Sequence, residues 1–390
     1  MSRWPNKYAI GLTGNIAVGK SVVRQMLQHL GAYTIDADGL SHQAMQPGAP
    51  AYRPVVETFG QFILDQDRRI DRALLGRIVF ANPQALAKLE AIVHPVVGQA
   101  INTLVLRSKQ RVIVIEAIKL LEGDLAKAVD TVWVVNAAPD VQLRRLVEKR
   151  KMSEAEARQR IAAQAPQTQK LAQANVVIDN SGNVDLTWQQ VQQAWTLVRQ
   201  AVTGQTAPPP AQPQPAAAAP AAAATPATLD VKRGMPSDAE SIAAFINRAT
   251  GSSVTRMDIM MAFGQKSYLL AQVQGRIIGL MGWQVENLIT RADEFYIAAG
   301  VARAPVIEAL ITAIEDASKL LQSEVGYFFL PPNTTPDIIE PFHRSGYEST
   351  TIEQIKIPAW REAVQEMMSE HSASLILAKK LREDRVLQPL

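Results

Sequence analysis

Residues 8–30 read YAIGLTGNIAVGKSVVRQMLQHL, and this stretch indicates the fold class of the first half of the chain. Tyr8–Thr13 is a short apolar run typical of a buried strand, and Lys20–Leu30 has the apolar spacing of a helix. Between them, Gly14–Ser21 fits the pattern G-x-x-x-x-G-K-[ST]. Glycines let the backbone curl so that successive N–H groups face one anion, and the start of a helix adds its positive end. The stretch therefore predicts a loop that binds the phosphates of a nucleotide, with a ligand-free glycine-rich turn as the alternative.

The side chains of the loop predict the cofactors. Lys20 can reach the β and γ phosphates of ATP, and the Ser21 hydroxyl can ligate Mg²⁺. We expect ATP and Mg²⁺ at a cradle formed by Gly14, Asn15, Ile16, Ala17, Val18, Gly19, Lys20, Ser21 and Val22.

Composition excludes several classes of protein. The chain has 390 residues, 47% of them hydrophobic and 20% charged, which fits about two globular domains. It has no cysteine, which excludes disulfide scaffolds, thiolate metal sites and cysteine nucleophiles, and no two of its five histidines have the i, i+4 spacing of a zinc site. The N-terminus lacks the apolar core of a signal peptide, and no window approaches eighteen uninterrupted apolar residues. We therefore expect a cytoplasmic protein with no membrane segment.

Charge and proline content predict the domain organisation. Residues 1–202 hold 24 Lys and Arg against 17 Asp and Glu, whereas residues 229–390 hold 16 against 20. A mildly positive first half suits a nucleotide, but it is too weak a signal for a nucleic-acid partner. Between the two halves, Thr203–Thr228 is uncharged and contains seven Pro and eleven Ala. We expect a disordered linker at 203–228 that joins domains at 1–202 and 229–390.

The order of predicted elements indicates an α/β fold. Apolar strands at Tyr8–Thr13, Tyr33–Ile35, Arg111–Ile115, Thr131–Val135 and Val176–Ile178 alternate with helices, which predicts a parallel sheet covered by helices on both faces. Helical stretches run from about Gly39 to Ile101, and one of them, Pro83–Val93, ends before His94-Pro95. In the second half, a turn at Gln274–Arg276 between two apolar strands predicts a mixed α/β domain.

Acidic residues stand at the ends of two predicted strands. Asp36 and Asp38 follow the second strand, and Glu116 ends the third. The carboxyl ends of parallel strands are where ligands bind in such sheets. Asp38 could accept the proton of an attacking hydroxyl or could cap a helix. Glu116 could orient Mg²⁺ or its water as a Walker B acid, or could be a solvent-facing strand end.

A basic segment follows the fourth strand. Arginines that close over a transferring phosphoryl group stabilise its negative charge, so we expect at least one of these cations to contact phosphate. Arg144 and Arg150 are the leading candidates, and a solvated helix face is the alternative. The cations of the segment are Arg144, Arg145, Lys149, Arg150, Lys151, Arg158 and Arg160.

Residues 8–182 resemble the dephospho-CoA kinase family. The resemblance is carried, in family order, by IGLTGNIAVGKS, YTIDADGLSHQAMQPGAPAY, ETFGQFIL, DRALLGRIVFANPQALAKLEAIVHP, EARQRIAAQ and VVIDNSG. It implies a P-loop kinase with a core, a lid and a helical substrate region, in which ATP phosphorylates the ribose 3′-hydroxyl of dephospho-CoA in the last step of coenzyme A synthesis. Another P-loop small-molecule kinase and an ATP-regulated binding protein remain as alternatives.

The resemblance also implies roles for individual residues. It makes Asp38 the catalytic base and places Arg72 and His94 in the acceptor region, and we group Asp36 and Glu116 with these substrate-binding residues. The loop departs from the family's usual GGIGSGKST, because valines replace its Ser and Thr at positions 18 and 22. We expect Val18 to add bulk beside the phosphates. Lys170 stands where the family has a lid arginine, and Lys119 adds a cation near the acceptor pocket.

Residues 229–390 are similar to the Gcn5-related acetyltransferase fold. The matching segments are VKRGMPSDAESIAAFIN, YLLAQVQGRIIGLMGW, FHRSGYES and LILAKKL. The fold's pyrophosphate-binding turn, [RQ]-x-x-G-x-[GA], is absent: the region reads IAAGVARAPVIEALI, with Gly300 alone and Pro305 after it. We therefore expect a degenerate domain that does not transfer acetyl groups. It would bind CoA or acetyl-CoA and restrain the kinase, or else recruit another protein.

Overall fold

The computed structural model describes residues 3–203, 229–370 and 375–387. The predicted linker at 203–228 lies outside these ranges, except for Thr203, which ends a helix. Residues 3–203 are called the N-terminal part below, and the described residues from 229 onwards are called the C-terminal part.

The N-terminal part is built on a five-stranded parallel sheet. Its strands, in chain order, are β1 (Tyr8–Thr13), β2 (Tyr33–Asp36), β3 (Val112–Glu116), β4 (Thr131–Asn136) and β5 (Val176–Asp179). Their spatial order is β2-β3-β1-β4-β5, and every pair is parallel. All five residues of β3 are buried, as expected for a strand with helices on both faces of its sheet. The predicted parallel sheet is confirmed.

Helices cover both faces of this sheet. One face carries an apolar cluster that includes Leu27 and Trp195, and the other face carries a cluster that includes Leu40 and Leu104. The helices are α1 (Lys20–His29), α2 (Ala37–Ala44), α3 (Tyr52–Phe59), α4 (Arg72–Ala81), α5 (Pro83–Arg107), α6 (Leu125–Ala128), α7 (Pro139–Arg150), α8 (Glu154–Ala162), α9 (Gln167–Leu171) and α10 (Val184–Thr203).

Helix α5 corrects the predicted end of Pro83–Val93. The helix continues through His94 and Pro95 to Arg107, because Val97, Ile101 and Leu104 extend its buried face. By length and apolar composition, α5 is the one helix in the described ranges that could cross a membrane. Its buried residues belong to the apolar cluster under the sheet, so α5 is a core helix of this fold.

The C-terminal part contains a seven-stranded mixed sheet. Its strands are β6 (Leu229–Arg233), β7 (Ser267–Val273), β8 (Arg276–Glu286), β9 (Ile289–Ile297), β10 (Val325–Leu330), β11 (Glu348–Thr350) and β12 (Leu375–Lys380). The spatial order is β11-β12-β10-β9-β8-β7-β6, and β9 pairs with β10 in parallel while the other pairs are antiparallel. The predicted hairpin turn is present, with φ of 50° at Gln274 and 76° at Gly275. The helices of this part are α11 (Ala239–Thr250), α12 (Arg256–Ala262), α13 (Arg303–Leu320), α14 (Pro336–Arg344) and α15 (Pro358–Glu370).

The two parts contact each other through α1 and α2 of the N-terminal part. His29 Nε2 lies 3.0 Å from the Phe263 carbonyl oxygen, and Gln25 Nε2 donates to Ser267 Oγ at 3.2 Å. On α2, Gln43 Nε2 donates to the Asn287 carbonyl oxygen at 2.7 Å. The helix that begins at the phosphate-binding loop and the helix that carries Asp38 therefore both rest on the C-terminal part.

Candidate active site

The loop between β1 and α1 has the backbone that its sequence pattern predicts. Gly14 and Gly19 have φ of 149° and 91°. A Cβ at Gly14 would lie 2.5 Å from the Val135 carbonyl oxygen, and one at Gly19 would lie 2.1 Å from Asn180 Nδ2. Both positions therefore require glycine. The first amides of α1 have no acceptor within the helix, so they can donate to an anion seated over the loop.

Arg145 and Asn180 hold this loop through hydrogen bonds to its carbonyl oxygens. Arg145 Nη1 donates to the carbonyl oxygens of Ala17 at 3.1 Å and Val18 at 3.2 Å, and its Nη2 donates to the Asn180 carbonyl oxygen at 2.7 Å. Asn180 Nδ2 in turn donates to the Val18 carbonyl oxygen at 2.8 Å. The arginine that fixes the loop is therefore Arg145.

The two cations predicted to contact phosphate, Arg144 and Arg150, are neighbours of Arg145 on α7. Arg144 is exposed, and Arg150 is also exposed but its charge lowers the pKa of Lys20. A signal for Arg145 was present, since it follows the buried Val141 by four positions and so shares its inward helix face. Arg158 and Arg160 form ion pairs within α8, with Glu154 and Glu156, as expected of a solvated face.

The connection between α8 and α9 and the first residue of α9 contact the loop directly. Asn15 N donates to Gln167 Oε1 at 3.1 Å, and Ile16 N donates to Gln164 Oε1 at 2.7 Å. Asn15 Nδ2 also donates to the Ala165 carbonyl oxygen at 3.0 Å. These hydrogen bonds hold the first residues of the loop in place.

Lys20 lies at the centre of a group of carboxylates. Its side chain is buried, with the whole residue 9% exposed, and burial lowers the pKa of its ammonium group. The negative charges of Glu116, Asp38 and Asp36 oppose this decrease of the pKa. The structure thus brings together the loop lysine and all three strand-end acids named from the sequence.

Glu116 is buried beneath the first turn of α1. Its Oε2 accepts from Arg24 Nε at 2.7 Å, and its Oε1 lies 3.5 Å from Ser21 Oγ. Burial raises the pKa of the Glu116 carboxyl, and the Arg24 guanidinium opposes this rise. A solvent-facing strand end, the alternative considered for Glu116, is wrong.

No cluster of three or more metal-ligating side chains occurs in residues 3–203, 229–370 and 375–387. Ser21 Oγ and Glu116 Oε1 nevertheless fit Mg²⁺, because this ion usually takes only one or two protein ligands besides water and phosphate.

Asp36 at the end of β2 and Asp38 in the first turn of α2 have separate environments. Asp36 caps α2, because its Oδ1 accepts from Gly39 N at 2.9 Å, so the capping role considered for Asp38 belongs to Asp36. Asp38 Oδ2 accepts from Ile118 N at 3.0 Å. Burial raises the pKa of Asp38, and the Ile118 N–H and the ammonium groups of Lys20 and Lys170 oppose this rise.

A cleft of about 670 Å³ opens beside Asp38. Arg72, at the start of α4, lies in its wall, whereas His94 is exposed on α5 and does not line it. The far wall comes from the C-terminal part, and no sequence pattern pointed to it. The lining includes Asp38, Gly39, His42, Gln43, Gln46, Arg72, Glu286, Asn287, Arg291, Glu362 and Glu366.

The N-terminal part of the chain is similar in sequence to known proteins. The family model for dephospho-CoA kinase matches residues 8–185. The dephospho-CoA kinase of Geobacter metallireducens is 47% identical over 189 residues, which are 48% of this chain and 94% of the relative. That of Shouchella clausii is 44% identical over 188 residues, which are 47% of this chain and 95% of the relative. This chain belongs to the dephospho-CoA kinase family. Membership makes it a phosphotransferase and confirms the activity that the first half of the sequence predicted.

The departures from the usual loop of dephospho-CoA kinases have structural explanations. Val18 is fully buried in the apolar cluster under the loop, so the expectation that it adds bulk beside the phosphates is wrong. Val22 faces the C-terminal part, and its Cγ1 would lie 3.0 Å from a Cβ at Gly264. Lys170 Nζ donates to the Ile118 carbonyl oxygen at 2.7 Å, beside the amide that binds Asp38. Lys119 is paired with Glu90 at 3.1 Å.

The C-terminal part lies outside the residues that the family model matches. One structural neighbour there is an N-acetyltransferase from Thermoplasma acidophilum, solved in complex with coenzyme A. It is 9% identical with a TM-score of 0.30, and the match covers 39% of this chain and 99% of that chain. A likeness at this level adds nothing to the functional argument.

Proposed function

We propose that this chain transfers the γ-phosphoryl group of ATP to the ribose 3′-hydroxyl of dephospho-CoA, which gives coenzyme A. The observation that supports this most is the convergence of Lys20, Glu116 and Asp38 at one edge of the parallel sheet, beside a loop that tolerates only glycine at positions 14 and 19. Family membership supports the choice of acceptor.

Lys20 and the loop amides bind the phosphates of ATP in this proposal. The buried Lys20 ammonium attracts a phosphate more strongly than an exposed one would, because little water competes with it. Arg145 positions the loop through its carbonyl oxygens, and Arg150, whose charge already acts on Lys20, is the candidate that stabilises the transferring group. Arg144 remains a prediction for the same role.

Ser21 and Glu116 would hold Mg²⁺, since their oxygens lie 3.5 Å apart at the end of β3. When bound, the ion would neutralise charge on the β and γ phosphate oxygens. Arg24 orients the Glu116 carboxylate through its 2.7 Å bond.

Asp38 accepts the proton of the 3′-hydroxyl. Burial raises the pKa of its carboxyl, which makes it a stronger base than an exposed aspartate. The Ile118 N–H fixes Oδ2 and leaves Oδ1 for the hydroxyl. Asp36 positions this base by capping α2, and Arg72 offers a cation to the acceptor. His94 remains a predicted acceptor-region residue without a contact to the cleft.

We also propose the division of the chain into a kinase domain at 1–202, a linker at 203–228 and a second domain at 229–390, in a cytoplasmic protein. The second domain would bind CoA or acetyl-CoA without acetyl transfer. Its α13 starts at Arg303 with Pro305 in its first turn and with Gly300 as the only nearby glycine.

Mass-spectrometric analysis of products tests the proposal. The full chain is mixed with ATP, Mg²⁺ and either dephospho-CoA or a nucleoside monophosphate, beside Lys20→Ala. We expect CoA from the wild type alone. A nucleoside diphosphate as the sole product would support another small-molecule kinase. ATP binding without any product would support an ATP-regulated binding protein.

A further inference from the structure

The cleft beside Asp38 is formed by both parts of the chain. Helices α2 and α4 supply its inner wall, with Asp38 and Arg72. The turn between β8 and β9, the start of β9 and helix α15 supply its outer wall, with Arg291 and Glu366 among the lining residues. Its volume of about 670 Å³ falls within the usual range for small-molecule sites. An acceptor that reaches Asp38 through this cleft must therefore pass the C-terminal part.

Arg291 is the unusual residue of the outer wall. Its side chain is only 4% exposed, although it lines the cleft. Nη1 lies 3.3 Å from Glu366 Oε2, and Nη2 donates a hydrogen bond to Glu286 Oε2. Its buried Nε has no hydrogen-bond partner in the part of the chain that the structure describes. Buried polar groups nearly always have partners, so the two carboxylates leave the hydrogen-bonding capacity of this guanidinium incompletely used.

The present partners of Arg291 can give way to a ligand. The Glu286 side chain is 41% exposed and that of Glu366 is 71% exposed. Water can solvate both carboxylates once they are released, so only the buried guanidinium needs a replacement anion. The planar guanidinium matches phosphate with two parallel hydrogen bonds, and a diphosphate carries more charge than either carboxylate.

We propose that Arg291 binds the diphosphate of dephospho-CoA, so that the C-terminal part completes the acceptor site of the kinase. The inference rests on the proposed function, because it takes dephospho-CoA as the acceptor. Glu286 and Glu366 hold the guanidinium in the free protein and release it to the phosphates. Arg72 faces the same ligand from the inner wall.

The test is steady-state kinetics on the full chain. Arg291→Gln removes the charge, and we expect it to raise KM for dephospho-CoA roughly 10- to 100-fold, the factor that a charge-assisted hydrogen bond is worth. KM for ATP should change by less than about twofold, because the loop is untouched. Arg303→Gln is the control, since Arg303 pairs with Asp337 outside the cleft. An Arg291→Gln protein with wild-type melting behaviour and unchanged KM for dephospho-CoA would overturn the inference.

A second variant avoids the buried position. Glu366→Gln removes a competing carboxylate from an exposed side chain, so the fold is not at risk. We expect it to lower KM for dephospho-CoA by roughly two- to fivefold, because the Glu366 carboxylate that the phosphates displace is mostly exposed. Glu383→Gln, which breaks an exposed pair with Lys380 outside the cleft, should change nothing. An unchanged KM in Glu366→Gln would count against the exchange of carboxylate for phosphate.

Calorimetry with dephospho-CoA separates this inference from the proposed function. A wild type that makes no CoA but binds dephospho-CoA through Arg291 would refute the kinase and keep the binding site. A wild type that makes CoA with an affinity independent of Arg291 would refute the binding site alone.

Discussion

Gly39 of α2 and Asn287 of the β8–β9 turn are in direct contact, since a Cβ on Gly39 would lie 2.1 Å from Asn287 Oδ1. Gln43 of the same helix donates to the Asn287 carbonyl oxygen at 2.7 Å. Asn287 itself has φ of 51°, which asparagine and glycine accept most readily. The helix that begins beside Asp38 is thus seated on the C-terminal part, and the absence of a side chain at position 39 permits the contact.

Gly39→Ala should push α2 away from the β8–β9 turn. We expect the added methyl group to lower the free energy of unfolding of the full chain by about 1–3 kcal/mol, the usual cost of overpacking, as measured by chemical denaturation. Asn287→Gly keeps the positive φ and removes the obstructing oxygen, so the double variant should recover much of the loss. Gly98→Ala is the control, since a Cβ there meets nothing within 4 Å. Additive effects of the two interface changes would contradict this account.

Arg145→Met should weaken ATP binding. The variant loses the donors to the carbonyl oxygens of Ala17 and Val18, so the loop is no longer held in its binding conformation. We expect the Kd for ATP to rise by roughly tenfold or more, as for the loss of a charged hydrogen-bond donor. Arg158→Met, which breaks an exposed ion pair with Glu154 on α8, should leave the Kd within about twofold. Calorimetry with ATP measures both values, and equal effects would show that Arg145 has no special role.

Glu116→Gln should affect stability and Mg²⁺ dependence separately. It leaves Arg24 buried without its anion, and breaking a buried pair costs about 3–5 kcal/mol in the free energy of unfolding. Arg24→Met in the same chain should restore much of that stability. The double variant should still need a higher Mg²⁺ concentration than the wild type for half-maximal rate. A double variant with wild-type Mg²⁺ dependence would remove Glu116 from the proposed metal site.

His29 should make the contact between the two parts sensitive to acid. Burial, assisted by the Arg233 guanidinium, lowers the pKa of His29 from 6.5 to about 3. The unfolded chain therefore binds a proton at His29 at a higher pH than the folded chain does. The contribution of neutral His29 to the free energy of unfolding is thus present above pH 6.5 and is lost as the pH falls towards 3. His29→Gln should flatten the pH dependence of the unfolding free energy in this window. An identical slope in wild type and variant would mean that His29 is not responsible.

The phosphate-binding loop and the strand-end acids could be predicted from sequence because they depend on local order. Strand, glycine loop and helix follow one another within residues 8–30. The parallel pairing of Asp36 with Glu116 brings Asp38, two residues further on, to the same edge of the sheet. The outer wall of the cleft could not be predicted, since Arg291 reaches it only through the contact between the two parts. The cap on α2 depends on which of two nearby aspartates faces Gly39, a choice that spacing alone does not make.

The most direct measurement is the rate of CoA formation by the Asp38→Asn full chain at saturating ATP, Mg²⁺ and dephospho-CoA. Asparagine keeps the size of the side chain but cannot take the hydroxyl proton. We expect a rate lower by roughly two to four orders of magnitude, the range that general-base catalysis supplies, with ATP binding retained. An Asp38→Asn chain that forms CoA at close to the wild-type rate would contradict this expectation.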